Sequence, residues 1–526
     1  MDIHKAKATL INAAVVLALF SFVSRVLGVL RDRIIASKFG AVGTVDAYYA
    51  AFRIPDFVFN LLILGALSSA FVPVFTSYLA HNNKKKAFET ANSLINLTLV
   101  VLVVVSAILY IAMPYVVSLI TAGFDSELRE LTVKLSRILL LSPIFFGLSN
   151  ILSGILNSFK RFTAYALAPI FYNIGIIIGA YFLTDLWGIY GLVVGVIIGS
   201  IAHFLVQLPS AIKCGFKYAF YIRFHEGVKK IGKLMIPRTV GIGMMQINLF
   251  VTTSIATTLP EGSVTIFNLA NNVHSFPIGI FGISFALSAF PFLAEAVSKN
   301  DAKGFKYYFA NAFSKILIFI IPLSILIWIL REQIIRIFFG AGNFDWTATL
   351  ITAQTLGYFA MGLFASALIP LIARAFYATH NTKTPVIISV VSMVINIAAS
   401  LLLAPRMGVP GLALAYSIAA IIQCVLLFIF LRQKAGSLDG KRLFNQFVKI
   451  LAAGVVLYIV AAGIMELSKY VFDLKTFMGV FLETSIVTVS SAVLYVFLLY
   501  LFKDEEVRAM IEGVVVKIKK LKKKNG

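Results

Sequence analysis

Three arginines near the N-terminus lie within stretches that are otherwise apolar. They are Arg25, Arg31 and Arg53. A guanidinium deep in a bilayer costs at least about 2.5 kcal/mol, so hydrophobicity does not explain these residues. The guanidinium presents a planar fork of donors that matches phosphate in a bidentate manner. The residue types therefore predict a site for an anion, with phosphate or pyrophosphate as the best fit, in a water-filled cavity.

Each arginine also has a structural interpretation. Arg25 can extend its head group to the membrane interface from near a helix end. Arg31 can pair with its neighbour Asp32. Arg53 is the most informative of the three, because it lies within the second predicted helix, two residues before Pro55. Both interpretations stay open at the level of sequence.

Other polar residues in apolar stretches are further candidates. Asp46 either neutralises one of the arginines in one conformation or caps the second helix near Thr44. Arg238 is either an ordinary cytoplasmic charge near the start of the seventh helix or a contributor to the cavity. Asn272 lies in the eighth helix, where a buried amide more often joins helices than binds a ligand.

The composition is that of an all-α polytopic membrane protein. Of 526 residues, 60% are hydrophobic and only 13% are charged, whereas soluble domains have about 25% charged residues. About fourteen apolar stretches are predicted to span the membrane as helices. Their approximate bounds are 8–34, 46–80, 92–119, 130–157, 163–184, 188–213, 234–259, 263–297, 308–330, 347–378, 384–404, 409–432, 444–466 and 477–502.

The net charge of +23 is better explained by basic residues in cytoplasmic loops of a membrane protein than by binding to nucleic acid. Basic residues gather in alternate loops, and the positive-inside rule then puts both termini in the cytoplasm. The basic tail from Lys517 to Lys524 is suited to anionic membrane lipids. Cys214 and Cys424 offer no metal or disulfide pattern. No catalytic motif, ATP site or cofactor motif is present, so we expect a transporter without a cofactor.

An internal repeat organises the chain. The stretch from Ser69 to Pro73 resembles that from Ser288 to Pro291, and each precedes a basic loop. Two copies of six helices would share one orientation, which is a parallel, pseudo-twofold repeat of the kind found in transporters. The expected domains are an N-terminal lobe, a C-terminal lobe, two extra helices and a basic cytoplasmic tail. Their bounds are 1–215, 216–435, 436–503 and 504–526.

The motifs around the arginines resemble the start of the MurJ (MviN) family, the lipid II flippases of peptidoglycan synthesis in the MOP exporter superfamily. The resemblance covers most of residues 10–430. It is carried by Ser24–Gly28, Arg31-Asp32, Phe39-Gly40, Asp46-Ala47, Phe52–Pro55 and Ala70–Pro73, then by Ile155–Asn157, Arg161-Phe162, Pro169, Asn173, Gly262–Val264, Phe276-Pro277, Asn381–Pro385 and Asn396.

The resemblance implies two six-helix lobes and two extra helices that form a lipid-facing groove. It also implies a cationic cavity for the diphosphate-sugar headgroup of the lipid. By resemblance, cavity charges fall on Arg25, Arg31 and Arg53, a functional acid on Asp46, and a neighbouring contact on Ser24. The same motif suggests Asp32, Gly28, Pro55 and Asp46 for conformational coupling.

Some positions depart from the family pattern. Phe59-Asn60 stands where the family often has an arginine pair, and Leu64-Gly65-Ala66 where it has Glu-Gly-Ala. Asn272 stands where a further cavity arginine is expected, and Arg238 is a candidate replacement. Thr252 and Ser400 stand where some members carry carboxylates for sodium, so sodium coupling and a metal site are not expected.

These observations predict a flippase that moves lipid II from the inner to the outer leaflet of the bacterial cytoplasmic membrane by alternating access. We expect a monomer, with peptidoglycan synthesis enzymes as possible partners. Three alternatives remain: an exporter of another polyprenyl-diphosphate oligosaccharide, a MATE-like antiporter, and a non-transporting cell-wall scaffold. The antiporter would need acidic cavity residues, which the arginines argue against.

Overall fold

The computed structural model describes residues 3–64, 67–436, 438–509 and 512. Within these helices the side chains of residues 3–15, 18, 64, 67–69, 234, 236–242, 244 and 245 are not described. All regular elements in the described ranges are helical, which confirms the predicted all-α class. The basic tail from Lys517 to Lys524 lies outside the described residues.

The chain forms two compact units. Unit 1 comprises residues up to Thr265 together with Ala341–Asp345. Its helices are α1 (Ile3–Phe39), α2 (Gly43–Ala51), α3 (Arg53–Phe59), α4 (Leu67–Ala80), α5 (Lys84–Ile120), α6 (Ser126–Leu139), α7 (Leu141–Ser158), α8 (Phe162–Ile178), α9 (Thr184–Trp187), α10 (Ile189–Leu205), α11 (Leu208–Lys213) and α12 (Glu226–Thr257).

Unit 2 comprises Ile266–Gly340 and the chain from Trp346 onward. Helix α13 (Ser263–Pro277) begins at the last residues of unit 1 and continues into unit 2. The remaining helices are α14 (Ser284–Ser298), α15 (Ala302–Ile329), α16 (Arg331–Phe339), α17 (Trp346–Met361), α18 (Leu363–Ala378), α19 (Lys383–Met407), α20 (Val409–Ala435), α21 (Gly440–Ser468) and α22 (Phe477–Leu501).

Ten helical segments among the described residues are long and apolar enough to cross a membrane. The bent pair α17 and α18, which meet at 44°, makes up to eleven. The other three predicted spans coincide with α1, with α2 to α4, and with α12, all of which are helical. The polytopic class is confirmed, and the total of fourteen spans stays a prediction, as do the predicted domain bounds.

Local sequence explains where several helices begin. Asn83 accepts a hydrogen bond from the backbone of Lys86 at 3.0 Å and so caps α5. Asp125 caps α6 in the same way at 2.8 Å, and Asp301 caps α15. These side chains satisfy amide groups that the first helical turn leaves without a partner.

The internal repeat is visible in the backbone of each unit. Left-handed residues follow corresponding helices: Asn82 and Asn300, and Lys160 and His380. Gly188 precedes α10 and Gly408 precedes α20, both with positive φ. Each unit also has a π-helical segment before its Ser-Ala-Phe motif, at Asn60–Leu64 and Ile278–Ile283. The sequence repeat therefore corresponds to a repeat of local structure.

Close helix packing in unit 1 positions the helix that carries Asn173. A Cβ atom added to Gly175 of α8 would lie 2.3 Å from Gly199 Cα on α10, and one added to Gly179 would lie 2.5 Å from Gly195 Cα. Only a hydrogen in place of Cβ permits this approach, as at other small-residue contacts between membrane helices. Helix α8 in turn packs against α1, which carries two of the three arginines.

Candidate functional site

The first predicted site residues meet across α1 and α8. The Arg31 guanidinium donates from Nη1 to Asn173 Oδ1 at 3.2 Å. Asn173 Nδ2 donates to the backbone oxygen of Ser24 at 3.2 Å and to its Oγ at 3.3 Å. Asn173 therefore joins Ser24 and Arg31, two residues that the sequence motif had placed together.

Helical spacing explains this arrangement. Ser24, Gly28 and Arg31 are separated by four and three positions, so they share one face of α1. Asn173 lies opposite that face on α8. A Cβ added to Gly28 would lie 3.9 Å from Asn173 Oδ1, an ordinary contact. Gly28 is therefore not required by the space at this helix contact, and its predicted coupling role stays untested.

Arg31 also forms the predicted ion pair with Asp32. Asp32 Oδ1 accepts from Arg31 Nε at 2.8 Å and lies 2.7 Å from Nη2. The Asp32 side chain is buried, whereas about a quarter of the Arg31 side chain is exposed, at 23%. The pair leaves little net charge on Arg31 in this conformation, so an anion must compete with Asp32 for the guanidinium.

Three tyrosines lie near Arg31 and were missed as site residues. Tyr48, Tyr49 and Tyr172 lie near enough to Arg31 to interact with it electrostatically. Tyr49 is also near Arg53. Its hydroxyl is buried and makes no hydrogen bond within the described part of the chain, which leaves a donor available. The sequence signal was present, since Tyr48 and Tyr49 lie five and four positions before Arg53, about one helical turn, on one apolar stretch.

Arg53 begins α3 and lies close to Tyr49. Its side chain is partly buried and interacts electrostatically with Asp56 and Tyr49. Asp56 follows by three positions, a spacing that brings side chains together on a helix. Pro55 is buried in the first turn of α3, where proline fits because no intrahelical donor is lost. Arg25, by contrast, is exposed on α1.

Asp46 makes a set of hydrogen bonds that neither sequence interpretation anticipated. Its carboxylate accepts from Gly262 N at 2.8 Å, from Thr265 N at 2.7 Å and from Thr265 Oγ1 at 2.6 Å. It is only 2% exposed. Capping of α2 by Asp46 is wrong, since the cap position is Val42 and no side chain caps it. The carboxylate instead lies at the N-terminus of α13, where amide donors and the helix dipole favour a negative charge.

Two loop segments pack against the same end of unit 1. Gly43 N donates to Glu261 Oε1 at 2.6 Å, and Asn343 N donates to the backbone oxygen of Ser37 at 2.8 Å. Gly262 has φ +87°, and a Cβ there would lie 2.4 Å from Ala41 O. This close approach and positive φ both require glycine. Neither Glu261 nor Asn343 was foreseen, because each is distant in sequence from its partner.

The remaining predicted positions are Arg238, Asn272 and Phe59. The Arg238 side chain lies outside the described residues, although its position belongs to α12. Asn272 is an exposed residue of unit 2. Phe59, where the resemblance expects an arginine, contacts Phe146 with tilted rings whose centroids are 5.2 Å apart, and it packs on a buried apolar cluster. In unit 1, the described cationic groups of the predicted site are therefore those of Arg25, Arg31 and Arg53.

Comparisons with known proteins all indicate the same family. The family model for lipid II flippase MurJ matches residues 35–487. The lipid II flippase MurJ of Burkholderia cenocepacia is 29% identical over 477 residues, covering 88% of this chain and 91% of the relative. The probable lipid II flippase MurJ of Rickettsia prowazekii is 33% identical over 432 residues, covering 80% of this chain and 84% of the relative.

Solved structures agree with this result. A lipid II flippase MurJ in an inward closed conformation superposes with a TM-score of 0.76 at 28% identity, over 92% of this chain and 99% of that one. An inward-facing MATE transporter of the MOP superfamily reaches a TM-score of 0.69 over 79% of this chain and 96% of that one. At 16% identity it shows a shared fold only. By sequence model, relatives and structure together, the chain belongs to the MurJ family of lipid II flippases.

Proposed function

We propose that this protein moves lipid II across the bacterial cytoplasmic membrane, with the headgroup diphosphate held by the arginines of unit 1. The observation that carries the proposal is the Arg31–Asn173–Ser24 network between α1 and α8, both of which are predicted to span the membrane. Charged side chains at such positions are costly unless they serve a polar pathway. Lipid II has the matching chemistry, since its diphosphate is anionic and its polyprenyl tail is apolar.

Binding of the headgroup would exchange one anion for another at Arg31. In the conformation described, Asp32 occupies two donors of the guanidinium. A diphosphate carries more charge than one carboxylate and accepts in the bidentate geometry that arginine favours. Arg53 and the Tyr49 hydroxyl, which interact electrostatically with each other, supply further donors. Arg25, exposed on the same helix as Arg31, is assigned to the approach of the headgroup.

To release the headgroup on the other side of the membrane, this site would have to close to the cytoplasm and open to the outside. Asp46 and its partners Gly262 and Thr265 hold the start of α13 against α2. We assign these hydrogen bonds to a conformation that must be left during transport. The proposed cycle is alternating access by a monomer with two six-helix lobes. We also assign the last two helices to a groove for the polyprenyl tail of the lipid, and we assign both termini to the cytoplasm.

The carboxylates of unit 1 argue against a multidrug cation antiporter. Such a transporter needs acidic groups available to a cation in its cavity. Here Asp32 is paired with Arg31, and Asp46 is satisfied by backbone and hydroxyl donors. An exporter of another polyprenyl-diphosphate oligosaccharide would use the same arginines, so it is separated from a lipid II flippase by experiment alone.

The proposal is tested by replacing Arg53. We expect Arg53→Ala to abolish rescue of cells depleted of their own flippase while membrane levels stay normal. Arg432→Ala removes an exposed arginine from the last turn of α20 and should rescue fully. In vesicles, headgroup accessibility is then compared for lipid II and other polyprenyl diphosphates. Full rescue by Arg53→Ala, or equal transport of the other lipids, would contradict the proposal.

A further inference from the structure

A second cationic site lies on the surface of unit 1, and none of the arginines of α1 and α3 lines it. It is a groove of about 860 Å³ between α5, α6, α7 and the start of α10. This volume is within the roughly 300–1,000 Å³ of small-molecule sites. Its lining residues include Val103, Ala107, Tyr110, Ile111, Arg137, Leu141 and Tyr190.

The groove has apolar walls that face outward. Ile111 is 77% exposed, and Val103 and Leu141 are each 47% exposed. Both α5 and the segment from α6 through α7 are candidate membrane spans. Exposed apolar side chains on such spans contact lipid chains in a bilayer. The walls of the groove are therefore suited to an acyl chain.

One end of the groove carries a guanidinium that is only partly satisfied. Arg137 donates from Nε to the backbone oxygen of Tyr110 at 3.0 Å, and its guanidinium carbon lies 4.6 Å from the centre of the Tyr110 ring. Among the described residues, no carboxylate lies within ion-pair distance of Arg137. The neighbouring cation, Lys134, is already paired with Glu130 at 2.7 Å. Within the described part of the chain, Arg137 therefore contributes one positive charge without a counter-ion.

The level of Arg137 in the membrane follows from its surroundings. Tyr190 lies in the first turn of α10, and Trp187, just before it in the chain, is exposed. Tyrosine and tryptophan are enriched where the membrane meets water. The cationic end of the groove thus lies at the level of lipid headgroups, while the apolar walls extend along helices that cross the bilayer.

We propose that this groove binds a bilayer glycerophospholipid, with its phosphate on Arg137 and an acyl chain along the apolar walls. The charge is complementary, since a phosphodiester carries one negative charge and Arg137 one uncompensated positive charge. A diphosphate would carry excess negative charge at this single guanidinium. The site shares no residue with the proposed headgroup site, so it is a place for a structural lipid and not for the transported one.

The proposal is tested by native mass spectrometry of the full-length protein released from mild detergent. The probes are phosphatidylglycerol and a diacylglycerol with the same chains but no phosphate. Loss of a charge-assisted hydrogen bond weakens binding by about an order of magnitude or more. We therefore expect Arg137→Gln to lower phosphatidylglycerol retention roughly tenfold or more. Arg406→Gln, which changes an exposed arginine at the end of α19, should retain the lipid.

A second variant separates the groove from the charge. Ala107→Trp fills the groove and keeps Arg137, and it should also lose the lipid. Unfolding temperatures in lipid-free detergent confirm that each variant is folded. Three results would overturn the proposal: parental retention by Arg137→Gln, equal retention of diacylglycerol and phosphatidylglycerol, or displacement of phosphatidylglycerol by an equimolar polyprenyl diphosphate.

Discussion

Asn173 holds Arg31 through a single amide group. Its Oδ1 accepts from the guanidinium at 3.2 Å, and its Nδ2 donates to Ser24 Oγ at 3.3 Å. These directions fix the amide orientation, because only the oxygen can accept and only the nitrogen can donate. The amide thereby links α8 to Ser24 and Arg31 on α1.

Two replacements of Asn173 should distinguish the effect of its hydrogen bond to Arg31 from the effect of an added negative charge. Asn173→Ala removes the hydrogen bond to Arg31, and we expect reduced rescue of flippase-depleted cells with a small loss of stability, about 1 kcal/mol for a hydrogen bond. Asn173→Asp adds a second carboxylate beside Arg31, which competes with the diphosphate. It should therefore impair transport more than the alanine variant does, although it keeps an acceptor. Rescue and unfolding temperature measure both effects, and better rescue by Asp than by Ala would refute this account.

Replacing Asp32 should alter binding and turnover in opposite directions. Asp32→Asn removes the counter-ion that holds two donors of Arg31. The guanidinium then has excess positive charge, so headgroup binding should become tighter. Release should become slower, because Asp32 no longer competes with the departing diphosphate. Binding of lipid II to purified protein and transport in vesicles would measure the two steps. Weaker binding together with slower transport would show that Asp32 only orients Arg31.

Much of this fold could be predicted from sequence because lipid imposes a simple pattern. Apolar runs separated by basic and glycine-containing loops predict helices, since backbone polar groups in a bilayer must be satisfied within the segment. The repeat was visible in short motifs such as those before Pro73 and Pro291. Kinks were expected in the longest runs because of their prolines, but the positions of the breaks were not predicted. Examples are the division between α6 and α7 at Leu140 and the π-helical segment Asn60–Leu64.

Only the charged residues of the candidate site could be predicted from the sequence. Arg31 and Arg53 stood out because charge is costly in an apolar run. The role of Asn173 was not apparent, since its contact with Arg31 joins positions 142 residues apart. The partners of Asp46 are similarly remote, at Gly262 and Thr265. Such contacts depend on helix packing, which apolar periodicity does not specify.

Replacing Asp46 should weaken the attachment of the loop before α13. Asp46→Asn leaves one acceptor oxygen where the carboxylate serves Gly262 and Thr265. A buried donor left without a partner costs about 1–3 kcal/mol, so the unfolding temperature should fall. If these bonds hold one conformation of the transport cycle, the variant should also make this end of unit 1 more accessible to solvent. Cysteine labelling at Thr44, an exposed position on α2, measures that accessibility, and unchanged labelling would contradict the assignment.

The packing of α8 on α10 provides the last test, because it fixes the helix that carries Asn173. Gly175→Ala places a methyl group 2.3 Å from Gly199 Cα, which is backbone and cannot move aside as a side chain would. The helices must separate, and overpacking of this kind typically costs about 1–3 kcal/mol. Gly463→Ala is the matched control, since nothing lies within 4 Å of the added methyl on α21. There, alanine should be neutral or stabilise the helix by up to about 1 kcal/mol. Unfolding temperatures of the two variants should shift in opposite directions or differ clearly, and rescue should fall only for Gly175→Ala. Equal behaviour of the two would show that the close approach of α8 and α10 does not determine the position of Asn173.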